Sequence, residues 1–264
     1  MALGVTLVVV LLASAGFVRP AAAQRPAVET FERTLPLPSG GSFSLANING
    51  SVEIEGWDRE EVQIFARKLA TAEAGDLRHV DIAVTSSAEG VSVTTRYPEG
   101  GAVEVNVEFR VRVPARVRLD RISTVNGSVA VRNVSGEGRL AAVNGNVVLA
   151  RGAGSFSARS TNGSVSLEVL SFDGGLPLRK GAALRPGISV QTVNGTVALA
   201  LPAGAGAELD AHTQNGDFSS ELPLLSHSSA AGRAIRGRVG SGGLPVFLRT
   251  VNGSIRLRIS RPLV

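Results

Sequence analysis

The chain has 264 residues, with 31 glycines, only nine Phe, one Trp and one Tyr, and a formal net charge of +5. It has no cysteine, which excludes disulfides, thiolate metal sites, a thiol nucleophile and the acceptor of a bacterial lipid anchor. Only Lys68 and Lys180 are lysines, and the arginines alternate with acids instead of clustering, so the footprint of a nucleic-acid binder is missing.

In chain order, the first feature is an uninterrupted apolar and small run over residues 5–15, followed by Ala21-Ala22-Ala23-Gln24. This pattern predicts a secretory signal peptide over residues 1–23, cleaved after Ala23. The run is short for a bilayer span of about 20 residues, and no second apolar span follows. The expectation is an extracytoplasmic protein, periplasmic, secreted or at the cell surface, without a membrane span after cleavage. Residues 24–40 read as a linker and 41–264 as a single domain.

Within that domain, residues 43–55, 62–69, 80–85, 91–96 and 103–113 alternate apolar and polar side chains as strands do. They lack a fixed spacing and predict a less regular β-cap over 41–116. Repeat coils are expected over 117–264, although a first copy of their motif already appears at 46–56.

Seven Asn-Gly pairs punctuate the chain: Asn49-Gly50, Asn126-Gly127, Asn144-Gly145, Asn162-Gly163, Asn194-Gly195, Asn215-Gly216 and Asn252-Gly253. Their surroundings match, as in STVNGSVAVRN at 123–133 and RTVNGSIRLRI at 249–259, and the three central copies are spaced 18 residues apart. Gly136 and Gly154 keep the same interval and suggest a second corner in each repeat. Fixed-period self-similarity of this kind signals stacked units that bury their apolar residues only against their neighbours.

Asn-Gly between apolar stretches usually marks a two-residue hairpin. Here that geometry would put Val125 opposite Ser128 and mix polar with apolar groups on each face. A chain running on through the pair places Val125, Val129 and Val131 on one side. Each pair is therefore read as a corner of a coil. The fold class is all-β, a β-solenoid or β-helix with coils of about 18 residues, with Asn126, Asn144 and Asn162 stacked in register. The copy around Gln214, Phe218 and Ser220 is the poorest. At the C-terminal end, residues 255–259 alternate apolar residues with Arg before Pro262, which reads as a terminal strand protected from edge-to-edge pairing.

Two stretches, 170–188 and 223–243, are rich in Gly and Pro and break the rhythm. They read as loops leaving the coil. Their cations, Arg179, Lys180, Arg185, Arg233, Arg236 and Arg238, are the candidate binding residues, since function tends to sit on loops held by a rigid scaffold. The partner they favour is an anionic envelope polymer or another surface protein.

NINGSVEIEGWDREEVQIFARK at 47–68, a strand-rich stretch ending VPARVRLDRISTVNGSV, and repeated TVNGSV ending in FLRTVNGSIRLRI resemble the DUF4097 putative-adhesin family over roughly 40–264. The resemblance implies a bacterial β-solenoid domain, often exported or on the cell envelope, with no established activity.

Motifs for chemistry are thin. His79, His212 and His227 have no neighbours at metal or triad spacing, and no nucleophile elbow, zinc, Walker A or EF-hand pattern occurs. Glu53 and Glu55, with Asp58, Glu60 and Glu61 following, could pair as acid and base on a glycoside, but solvated strand carboxylates are far commoner. Six N-x-Ser/Thr sequons, at Asn49, Asn126, Asn133, Asn162, Asn194 and Asn252, follow from the repeat. Trp57 reads as a packing residue. The expectation is a non-catalytic binding or structural protein of the envelope, without a cofactor, catalytic residue or metal site. The alternatives are a polysaccharide hydrolase or lyase and a self-associating scaffold.

Overall fold

The structure is a computed structural model that describes residues 27–70, 74–99, 103–172, 187–228 and 234–260. The predicted signal peptide lies outside them, as do Arg179, Lys180, Arg185 and Arg233. The described residues form an all-β protein: twenty strands in one mixed sheet, one 3-10 turn at Ala74–His79 and no α-helix.

The N-terminal strands are β1 (Ala27–Pro36), β2 (Ser42–Ala46), β3 (Val52–Trp57), β4 (Glu61–Ala70), β5 (Asp81–Ser87), β6 (Gly90–Arg96) and β7 (Val105–Pro114). The central ones are β8 (Arg116–Asn126), β9 (Val129–Arg132), β10 (Ser135–Asn144), β11 (Val147–Asn162), β12 (Val165–Ser171), β13 (Ile188–Asn194) and β14 (Val197–Leu201). The C-terminal ones are β15 (Ala207–Asn215), β16 (Phe218–Ser220), β17 (Leu224–Ser228), β18 (Ala234–Val239), β19 (Leu244–Asn252) and β20 (Ile255–Ile259).

Pairing sorts these strands into two columns that share one apolar core. The first column runs β5-β6-β2-β8-β10-β11-β13-β19-β15-β18-β17. Its pairs are parallel except at the two ends, where β5, β18 and β17 attach antiparallel. The second column runs β1-β4-β7-β3-β9-β11-β12-β14-β20-β16 and is parallel from β7 onward. Strand β11 serves both columns, pairing with β9 and β12 by its first half and with β10 and β13 by its second.

The registers follow the repeat. Asn126, Asn144 and Asn162 stand side by side on adjacent parallel strands. Val129, Val147 and Val165 form one fully buried row, and Val131, Leu149 and Leu167 the next. Adjacent strands lie about 4.8 Å apart, so each valine packs directly on its counterpart.

At the Asn-Gly corner a side chain on the glycine has no room. A Cβ on Gly145 would overlap the Gly127 carbonyl oxygen, and one on Gly163 would overlap that of Gly145. The second corner is also present: Asn133 and Arg151, 18 residues apart, both take the left-handed conformation with φ of 56°, just before Gly136 and Gly154, which pair in register.

Several expectations need correction. Val125 does not share the buried side of Val129, because Val125, Val143 and Val193 are 38–41% exposed while Thr124 is 2% exposed. The chain turns at Asn-Gly, so inward parity ends on the threonine and restarts on the valine after the corner. Residues 27–36, expected as part of a linker, form β1, since Phe31 and Leu35 pack on the core and all ten residues pair with β4. Residues 223–243, expected as a loop, hold the β17–β18 hairpin; Ile235, Gly237 and Val239 alternate with exposed Arg236 and Arg238.

The expected cap over 41–116 divides. Strands β2, β3, β6 and β7 continue the parallel columns, and the antiparallel covering is β1, β4 and β5. Finally, residues 255–259 are no edge: β20 is paired on both sides, with β14 and β16. Its arginines point outward between two neighbouring strands, and the short β16 is the edge instead.

Candidate functional site

The seven Asn-Gly corners gather into one ladder. Asn126 Nδ2 donates to Asn49 Oδ1 at 2.8 Å, and the series continues through Asn144, Asn162, Asn194 and Asn252 to Asn215, each link 2.8–2.9 Å. Beneath it, the hydroxyls of Thr124, Ser160, Thr192, Thr250 and Thr213 donate to corner glycine carbonyls, for example Thr192 Oγ1 to Gly163 O at 2.8 Å. These buried hydroxyls are thereby satisfied, as buried polar groups must be. The corner residues named from sequence are thus brought together: side chain, backbone and hydroxyl all bond between neighbouring strands.

The residues with free chemistry lie beside the ladder, on the outward face of the first column. Arg159, Gln191, Arg249 and His212 occupy one register row across β11, β13, β19 and β15. With Asp210 and Arg236 they line a groove of about 590 Å³. Strand alternation sends these side chains outward, and the hairpin strand β18, paired to β15, forms the far wall. Arg159 and Arg249 are exposed and stand two strands, about 10 Å, apart.

The groove's charge is unbalanced. The one carboxylate among the described residues that line it, Asp210, lies 3.5 Å from Arg236 and is partnered by it. Arg159 and Arg249 form no salt bridge with a carboxylate among the described residues. A second depression adjoins the first through Asp210 and Arg236 and is lined by Phe247, Pro245 and Leu225, with Glu208 and Arg238 at its rim. Phe247 and Leu225 are 42% and 76% exposed, so this end offers apolar surface to a ligand.

Of the cations named from sequence, Arg236 lies in the groove and Arg238 beside it, 3.9 Å from Glu208. Both are strand residues, held by the β15–β18 pairing. Arg159, Gln191 and Arg249 were not singled out, and His212 was considered only for metal or triad chemistry. The signal for them was present: three residues before each Asn the repeats read Ala46, Ser123 and Ala141, then Arg159, Gln191, Arg249 and His212. Small residues give way to long polar ones at one position of the coil.

The other candidates are partnered differently. Glu53 sits between Arg110 and Arg132, at 3.7 and 3.8 Å, within a lattice of alternating charges on β3, β7 and β9. Glu61 pairs with Arg59 at 3.3 Å. Trp57 Nε1 donates to Glu61 O at 2.9 Å, and the guanidinium groups of Arg59 and Arg112 lie 5.1 and 5.7 Å from its ring centre. The ring is engaged by cations of its own chain, as packing predicts. Among the described residues no group of three His, Asp or Glu side chains could hold a metal ion. No helix among them is long and apolar enough to cross a membrane.

No family model matches the chain, and no curated protein matches its sequence. Among solved structures, it is similar to a putative cell adhesion protein from Clostridium sporogenes, with 11% identity and a TM-score of 0.45 over 88% of this chain and 100% of that one. A putative adhesin from Bacteroides fragilis has 7% identity and a TM-score of 0.37, over 87% and 97% of the two chains. A putative lipid binding protein from Parabacteroides distasonis has 9% identity and a TM-score of 0.26, over 88% and 96%.

Proposed function

We propose that the protein is an exported, non-catalytic binding protein of the cell envelope. On this reading the two columns are the faces of a flattened β-solenoid of the DUF4097 type. Its outward C-terminal groove takes an anionic polymer. The observation that carries the reading is the pair Arg159 and Arg249, two cations flanking Gln191 on either side in a concave site where the one acid among the described residues is already partnered by Arg236.

An arginine fork is suited to carboxylate and phosphate groups, and charge-assisted bonds are the stronger class. Spacing along the coil axis suits a polymer with repeated charges better than one small anion. A non-catalytic role is supported by the donor set. General acid and base work on a glycoside needs two carboxyl groups flanking a bond, and the described residues of the groove offer one, in an ion pair.

The test is a binding titration of polygalacturonate against uncharged dextran. Polygalacturonate should bind and dextran should not. Affinity should fall as salt rises from about 0.1 M to about 1 M, where the screening length drops from about 10 to about 3 Å. Replacing Arg159 and Arg249 together by Ala should weaken binding at least about tenfold. Affinity that ignores salt and survives the double replacement would sink the proposal.

A further inference from the structure

We propose that Asn215–Gly216 is a site of spontaneous covalent modification, the pair among the seven Asn-Gly corners at which the folded protein deamidates. In this reaction the backbone nitrogen of the glycine, after losing its proton to solvent base, attacks the asparagine Cγ. The new N–Cγ bond expels the side-chain amide nitrogen as ammonia and closes a succinimide. Water then opens the ring at either carbonyl, giving aspartate or isoaspartate. Nothing is oxidised or reduced, and water is the only co-reactant.

The attack requires a glycine nitrogen free of other bonds and an amide free to rotate onto it. Six corners deny both. Gly50 N donates to Asn126 O at 2.8 Å, Gly127 N to Asn144 O at 3.0 Å and Gly145 N to Asn162 O at 2.9 Å. Gly163, Gly195 and Gly253 donate likewise to Asn194, Asn252 and Asn215, each at 2.9 Å. Each of those six asparagines also accepts at Oδ1 from its neighbour in the ladder.

The direction of the ladder leaves one corner open. Every glycine donates to the next coil outward, and Asn215–Gly216 belongs to the outermost coil. Gly216 N has no hydrogen-bond partner among the described residues, and Asn215 Oδ1 accepts from none. Gly216 is also the one exposed glycine of the seven, the other six being half-buried. Asn215 is held by a single side-chain bond, its donation to Asn252. A nitrogen inside the ladder reacts only through local opening, which carries a free-energy cost that Gly216 does not bear.

This assignment does not depend on what the groove binds. The folded protein is incubated at mildly alkaline pH, and the seven peptides are followed by mass mapping and an isoaspartate assay. Asn215 should convert at least about tenfold faster than any other Asn-Gly pair, the factor set by the loss of one net backbone hydrogen bond. In concentrated urea all seven should convert at similar rates, and Asn215→Ser should remove the early product. Folded protein that modifies several corners equally, or another corner first, overturns the proposal, as does an unreactive Asn215 in protein whose urea control reacts.

Discussion

The middle of the molecule and its C-terminal end use the same corner motif and treat it differently. From β8 to β14 spatial order follows chain order, and each repeat pairs with the one before it. Beyond β14 the chain steps outward to make β15 and β16, leaves through the β17–β18 hairpin, and returns to thread β19 and β20 into the gap. The last repeat in sequence therefore lies inside the columns, and the one before it is the outermost. The motif defines the corner and the bonds between paired repeats, but not their order in the columns.

Composition explains which repeat goes outside. An inner repeat must present apolar residues, a corner glycine and backbone groups to two neighbours, and β19–β20 does so with Val246, Leu248, Ile255 and Leu257 all buried. The repeat at 212–222 offers half-buried Phe218, exposed Asp217 and a strand of only three residues. Placed at the edge, it leaves Asp217 in water, and a short strand is a poor template for aggregation.

The sharpest test of this difference is charge insertion. Val147→Asp would bury an unpaired carboxylate between two coils and should cost at least about 3 kcal/mol in a denaturant titration, or prevent folding. The same change at Phe218, on the outer coil, should cost about 1 kcal/mol. Comparable losses at the two sites would contradict the stacking order.

Glycine replacements probe the corner. Gly145→Ala forces a Cβ onto the Gly127 carbonyl oxygen with another coil above, and should cost about 3 kcal/mol by the same measurement. Gly216→Ala meets the Gly253 carbonyl oxygen, but its coil is free to move outward, so about 1 kcal/mol is expected.

A gain is expected where the hydroxyl ladder is interrupted. Ala142 pairs in register with Thr124 and Ser160, whose hydroxyls serve Gly50 and Gly145, and Gly127 O lacks the equivalent donor. Ala142→Ser should raise stability by about 1 kcal/mol. No gain would mean that the neighbouring hydroxyls add nothing beyond satisfying their own burial.

The smallest effect concerns the other end of the ladder. Tyr97 donates to Val105 O at 2.8 Å, and burial pushes its phenol above the ordinary 10.0, a rise that hydrogen bonds with Asn49 oppose. The folded phenol therefore keeps its proton where the unfolded one has lost it. Its contribution to stability is present below pH 10.0 and declines as pH rises through the folded value. Tyr97→Phe should make alkaline unfolding less steep above that pH, and an unchanged profile would remove Tyr97 from the account.

Much of this was legible from residues alone. The 18-residue spacing of Asn126, Asn144 and Asn162 revealed their register, and the apolar rows at Val129, Val147 and Val165 followed from parity. The error at Val125 came from treating the corner as continuous strand, when a turn resets the alternation. Arg236 and Arg238 were noticed as charges in a loop, because the two-residue period of so short a strand was masked by glycines. Arg159, Gln191, Arg249 and His212 were visible only as a change at one position of the aligned repeats.

The sequence by itself thus determined the local geometry: strand alternation, corner chemistry and the demand that each coil find a neighbour. These are short-range consequences of side-chain size, backbone freedom and hydrogen-bonding capacity. Which coil lies on which, which repeat faces water, and which arginines meet across a groove were decided only by the tertiary structure. Similar repeats can pair in many orders at nearly equal energy, and the choice among them falls to the few residues that make one repeat a worse neighbour than the rest.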